Sequence, residues 1–185
     1  ALEDTRIATE ALRQLTAQPV EAYRAPAFSI GESNLWAFDI LAQCGIRRDY
    51  SVFPAPRELG GYPSFGDDKP RIIETEHGTI EEYPITMTTL FGRRIAYSGG
   101  GYFRMLPLKF VERIVKKKDY NMMYFHINDL LSERQALKSR KEYEDYFKEP
   151  GTLKNRLMRY VKGNLGTADA MKKFKQLVRD TEWDN

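Results

Sequence analysis

Between Val20 and Phe53 the chain runs through a short extended piece, an apolar helix and a second extended piece, and this order constrains the fold most. Val20–Tyr23 is extended, and Arg24-Ala25-Pro26 must be a turn or strand end, because the proline ring disfavours helix at Ala25. A helix capped by Ser33 or Asn34 follows. It carries Leu35, Trp36, Phe38, Ile40 and Leu41, and Gly45 supplies a left-handed stop. Asp49–Phe53 then reads as a strand that ends at Pro54. Strand, helix, strand predicts a parallel crossover and an α/β fold.

The flanks add detail to that unit. Ile7, Ala8, Ala11, Leu12 and Leu15 recur at helical spacing, which predicts a helix over 2–17 stopped by Pro19. Residues 54–71 hold four prolines and three glycines and read as a loop. Strands are expected at Arg71–Thr75 and Thr79–Thr86, with Gly78 turning between them. Gly99-Gly100-Gly101 should be the most flexible point of the chain, and Pro107 opens a helix running to Lys117. Met122–Ile127 is an apolar run bounded by polar residues, the pattern of a buried strand. It is expected to lie parallel to 20–24 and 49–53 in one sheet. From Leu130 onward the pattern is helical and charged, with breaks at Pro150-Gly151 and Gly166.

Composition narrows the class. The 185 residues are 42% apolar and 30% charged, enough for a packed core and against disorder. No apolar run is long enough for a transmembrane helix, and a single cysteine excludes an intramolecular disulfide framework. Residues 1–103 carry 10 Lys+Arg against 14 Asp+Glu, and 104–185 carry 19 against 12. The basic residues of the second part alternate with acids on amphipathic helices, so they read as a solvated face, with no nucleic-acid partner expected. The first residues lack a secretory signal, and a cytoplasmic location is the expectation. The chain opens without methionine, inside a helix, as a portion of a longer protein would.

Few residues can carry chemistry. His77 sits by Gly78 and reads as an exposed turn residue. His126 ends the apolar run 122–127, where parallel α/β folds place active-site groups, and can serve as general acid or base or be a structural histidine. Asp67-Asp68 reads as a solvated turn, Cys44 as core, and the glycine run lacks the Lys-Ser/Thr of a phosphate loop.

Several segments together resemble a known family. Tyr23-Arg24-Ala25-Pro26-Ala27-Phe28-Ser29-Ile30, Asn34–Leu41, Asp49-Tyr50-Ser51-Val52-Phe53-Pro54, and Gly99–Pro107 with the run ending at His126 are similar to polysaccharide deacetylases. More narrowly, they resemble the NodB-homology group of exopolysaccharide and O-antigen biosynthesis. The resemblance implies part of a deformed (β/α) barrel over 1–135 and a helical extension over 136–185. It implies hydrolysis of the N-acetyl amide of a sugar at a divalent metal, usually zinc. Arg24 matches the arginine that pairs with the catalytic base, Asp49 the acid that orients the catalytic histidine, and His126 that histidine. Pro26, Ala27, Phe28 and Tyr102 fall at substrate-binding positions, the backbone N–H near Ala27 serving the oxyanion. The family's adjacent Asp-Asp and its His-x-x-x-His precede the arginine motif, and neither occurs there in this chain. No metal ligand is therefore expected among these residues, and the chain alone is expected to be inactive as a deacetylase. Homo-oligomers are compatible with this reading. The alternative is a non-catalytic carbohydrate-binding or assembly module, with Tyr62, Phe65, Tyr102 and Phe103 as stacking platforms.

Overall fold

The computed structural model describes residues 1–57 and 60–181. They form two compact units, Ala1–Ala96 with Tyr120–Met122, and Tyr97–Asp119 with Met123–Asn185.

The first unit is built on the expected crossover. Strands β1 (Ala22–Tyr23) and β2 (Arg48–Asp49) pair in parallel on either side of helix α2 (Trp36–Gln43). Gly45, at φ 81°, reverses the chain after α2, and the Ile46 N–H then donates to the Leu41 carbonyl at 3.0 Å. A side chain at that φ would be strained, so glycine is the residue the turn requires. Phe38, Leu41 and Ala42 line the inner face of α2 and pack with Ile46, Val52, Phe65 and Ile80. Burying each larger apolar side chain here contributes at most about 1.5–3 kcal/mol.

Strand β4 (Gly78–Glu82) continues the sheet parallel to β2, and β3 (Arg71–Thr75) lies antiparallel on β4, giving the order β1-β2-β4-β3. Along β4, Ile80 and Glu82 are buried while Thr79 and Glu81 are exposed, the two-residue period of a half-covered strand. A separate hairpin pairs β5 (Thr88–Leu90) with β6 (Arg93–Ile95). The architecture is thus mixed α/β, and the described strands form open sheets rather than a closed barrel. Before the crossover, α1 (Leu2–Thr16) matches the periodicity, yet Ile7, Leu12 and Leu15 on its apolar face are exposed and only Thr9 is buried.

The second unit is helical: α3 (Gly100–Met105), α4 (Leu108–Val115), α5 (Ile127–Leu130), α6 (Arg140–Phe147), α7 (Leu153–Asn164) and α8 (Ala170–Asp180). Its core joins Tyr97, Phe103, Val111, Val115 and Leu177, with Phe125 and Phe174 packed against them. Ser139 and Glu142 form a reciprocal capping box at the start of α6, with bonds of 3.3 and 2.7 Å.

Three expectations are corrected. The run 122–127 is no strand of the sheet that holds β1 and β2. Met122 belongs to the first unit, where its carbonyl accepts from the Thr86 hydroxyl. Tyr124 makes only an isolated parallel bridge to Gly99 in the second unit. Apolar composition forecast the burial of Met122, but Met122 bonds within the first unit and Tyr124 within the second. Gly99–Gly101 is not a flexible loop; it opens helix α3, whose first residues pair with Tyr124. Residues 131–139 are irregular where a helix was expected.

Candidate functional site

Parallel pairing brings the ends of β1, β2 and β4 together. Tyr23 stands opposite Asp49 and Asp49 opposite Glu82, so Arg24, Asp49 and Glu82 cluster at the C-terminal edge of these strands. Both acids are fully buried. The Asp49 carboxylate accepts the Ser51 N–H at 2.9 Å through Oδ2 and the Ser51 hydroxyl at 2.7 Å through Oδ1. Ser51 Oγ in turn accepts the Ala25 N–H at 2.7 Å, which ties this network to the loop after Arg24. Glu82 Oε1 accepts the Val52 N–H at 3.1 Å.

Two buried carboxyls in contact cannot both ionise cheaply. Burial is the main cause that drives the Glu82 carboxyl far above the usual carboxylate range, reinforced by the bond to Asp49 and by that group's charge. Burial also raises Asp49, opposed by its bonds from Glu82 and Ser51. A neutral Glu82 donating to an ionised Asp49 therefore satisfies the pair at neutral pH. This also gives a role to Glu82 Oε2, a buried oxygen to which no donor among the described residues bonds and which, protonated, is free to donate. Arg24, whose positive charge eases Glu82 slightly downward, balances the remaining negative charge.

The loop carrying the Arg-x-Pro segment has an unusual backbone. Ala27 and Phe28 both hold left-handed φ, 56° and 54°, a conformation that costs each L-residue about 1–2 kcal/mol. Outside contacts impose it. Arg57 donates to the Ala27 carbonyl at 3.0 Å, Gly61 N–H to the Phe28 carbonyl at 3.1 Å, and the buried Phe28 ring meets Phe53 edge-on at 5.8 Å. Pro26 and Ala27 remain exposed. Below Arg24 lies an aromatic layer. Its guanidinium sits 5.6 Å from the Phe28 ring and 5.8 Å from Tyr50, and Tyr50 stacks on Tyr83, which leans on Tyr120. The Tyr120 hydroxyl donates to Pro84 O at 2.8 Å, and burial keeps it from ionising.

In the second unit His126 is exposed, not a buried structural residue, and stands at the N-terminal end of α5. Its N–H donates to Asp129 Oδ2 at 2.9 Å, and its Nε2 lies 3.1 Å from the Tyr124 hydroxyl. Asp129 also pairs with Arg104 at 3.5 Å. A Cβ on Gly100 would fall 2.1 Å from the Asp129 carboxylate, so the glycine makes room for the acid that fixes His126. Gly100→Ala should displace Asp129 and destabilise the second unit by about 1–3 kcal/mol through the lost His126–Asp129 hydrogen bond and Arg104–Asp129 ion pair. Thermal melts that leave wild type and variant within a degree of each other would refute this. Tyr102 on α3 is exposed and available to a ligand, whereas Phe103 and Phe65 are core residues and cannot be stacking platforms.

Neither carboxyl beside Arg24 suits a divalent cation, because the two share a proton and face a guanidinium. Metal-competent donors lie elsewhere among the described residues. Asp39, Glu76 and His77 bring ligand atoms within 4.8 Å of one another. There His77 Nδ1 is 3.0 Å from both Asp39 oxygens, a bond that holds Asp39 below the usual carboxylate range and pins the β3–β4 turn to α2. That turn precedes β4, whereas Glu82 ends it, about 13 Å along the strand. A groove of about 650 Å³ opens beside this cluster, lined by Trp36, Tyr62 and Glu74 among others.

The family resemblance singled out Arg24 and Asp49, which the structure brings together, and did not single out Glu82. Its signal was an acid on the same alternating face as Ile80, in a strand that was itself foreseen.

The first unit and its strand-end cluster define an α/β domain with a buried acid pair beside an arginine. The profile of a domain family of unknown function, DUF3473, matches residues 50–185, and the chain belongs to that family. Comparison with curated proteins and with solved structures gives no match.

Proposed function

We propose that this chain is part of a polysaccharide deacetylase and supplies the side of its active site that binds and orients an N-acetylated sugar. The observation that carries the reading is the Arg24–Asp49–Glu82 cluster at the C-terminal edge of parallel strands, under the rigid Pro26–Phe28 loop. Arg24 offers planar donors to an acetyl oxygen or to a carboxylate base, and the buried pair fixes its charge and position. By the resemblance alone, His126 of the second unit, exposed and bonded through its backbone N–H to Asp129, has the role of a general acid, and Tyr102 that of a sugar contact. The strands are the portion of a deformed barrel in this proposal. The divalent metal that activates water in such enzymes finds no fitting donors beside Arg24, so this chain's residues position substrate and move protons. The carbohydrate-binding alternative has its own support in the groove by Trp36 and Tyr62, where aromatic faces adjoin carboxylates.

Titration of the chain with an N-acetylated oligosaccharide and its deacetylated counterpart tests the proposal. Binding should favour the acetylated ligand and fall about tenfold or more in Arg24→Ala, the loss of a charged hydrogen bond. Binding that ignores the acetyl group, and is lost in Trp36→Ala instead, would transfer the function to the groove. No binding of either sugar would overturn both readings.

A further inference from the structure

Helix α7 is docked by its polar side. Arg156 donates to the Lys138 carbonyl at 3.1 Å, and Arg159 pairs with Glu149 at 3.1 Å. Arg104 donates to the Gly163 and Lys162 carbonyls at 3.2 and 2.8 Å. Asn164 exchanges bonds of 2.8 and 3.1 Å with the Gln135 backbone. The other side is apolar and open. Leu153, Leu157, Met158, Val161 and Leu165 are 59, 42, 45, 53 and 50% exposed, and no residue of the helix is buried. At 100° per residue these five side chains occupy one arc of about 140°, along a helix about 18 Å long. Water thus faces the stripe that an amphipathic helix ordinarily turns inward.

The charge around the stripe says what covers it. Between Gly151 and Gly166 there are four Lys or Arg and no Asp or Glu. Arg156 and Arg159 hold the helix down, while the exposed Lys154 lies within the apolar arc and Lys162 at its edge. Helix α8 repeats the pairing, with Met171 and Val178 exposed beside Lys172, Lys175 and Arg179. By contrast α1, which also exposes leucines, flanks them with Glu3, Asp4 and Glu10 and shows no preference of sign. An exposed apolar arc with cations whose long stems can reach past it is complementary to an anionic lipid surface, where the leucines enter the headgroup boundary and the ammonium groups meet phosphates. We infer that α7 is a membrane-surface helix that docks the second unit on anionic lipid bilayers, lying in the interface without spanning it.

Flotation of the purified chain with vesicles tests this independently of the Arg24 site. The chain should rise with vesicles of 70% phosphatidylcholine and 30% phosphatidylglycerol at 50 mM NaCl, and about tenfold less at 500 mM, because screening shortens the electrostatic reach. Pure phosphatidylcholine should retain little. Leu157→Ser/Val161→Ser and Lys154→Glu/Lys162→Glu should each cut partition to the anionic vesicles about tenfold or more. These side chains are exposed, so melting within about two degrees of wild type will show that the fold persists. Failure to bind anionic vesicles, or equal binding by both double variants, overturns the inference. A concentration-dependent dimer in light scattering that Leu157→Ser/Val161→Ser dissolves also overturns it, and gives the face to a second copy of the chain.

Discussion

Glu82→Gln should gain stability relative to wild type as the pH rises, by about 1.4 kcal/mol per pH unit above the ordinary glutamate range. The sign follows from the direction of the shift. Burial and the neighbouring Asp49 raise the Glu82 carboxyl in the folded protein. Between its unfolded value and the raised one, the native state holds a proton that the unfolded chain has released. The stabilisation is complete below the unfolded value and is lost progressively as pH climbs toward the folded one. Glutamine keeps the donor to Asp49 and an acceptor for the Val52 N–H, but has no proton to lose. Over pH 5–8 the difference should therefore grow to about 4 kcal/mol. Urea unfolding of both proteins at three pH values measures it. Taking the difference cancels Lys173 of the second unit, whose amine burial pulls down to about 8. Parallel curves for the two proteins would mean that the pair carries no trapped proton.

Phe103→Ala should destabilise the second unit by about 3–5 kcal/mol, the cost of emptying a packed aromatic site. Phe103 is fully buried, meets Phe125 edge-on at 5.1 Å and Phe174 at 6.4 Å, and lies under the Lys173 ammonium at 4.6 Å. Lys173 also donates to the Phe103 and Leu106 carbonyls, closing the end of α3 against α8. Hydrogen exchange over residues 97–119 and 123–181 should speed up throughout those helices. Loss of protection confined to α3 alone would show that Phe103 does not join the helices into one cooperative core.

Local rules explain which elements could be read in advance. The β1–α2–β2 crossover, the stop at Gly45, the turn at Gly78 and the break at Pro150-Gly151 each follow from residues adjacent in sequence. Periodicity, a fixed proline φ and a glycine's freedom act over a few residues, so a single chain displays them. Arg24 and Asp49 were singled out differently, by the resemblance of the short segments around them to a known family. The run 122–127 misled because apolar composition reports burial without naming the partner. Tyr124 found its hydrogen bonds at Ser98 and Gly100 rather than on β1 or β2.

Tertiary structure alone decided the rest. Glu82 gained its significance only when parallel register set it opposite Asp49, 33 residues earlier in the chain, with water excluded from both. Proton sharing depends on the distance and dielectric between two groups, and neither quantity is encoded in the residues around either one. Helix α7 makes the same point from the surface. Its apolar arc and its cations could be counted in the sequence, but every amphipathic pattern predicts an inward face. The polar anchors at Lys138, Glu149, Gln135 and Arg104 turned that face outward, because satisfying charged and amide groups at the docking side outweighed covering five apolar side chains.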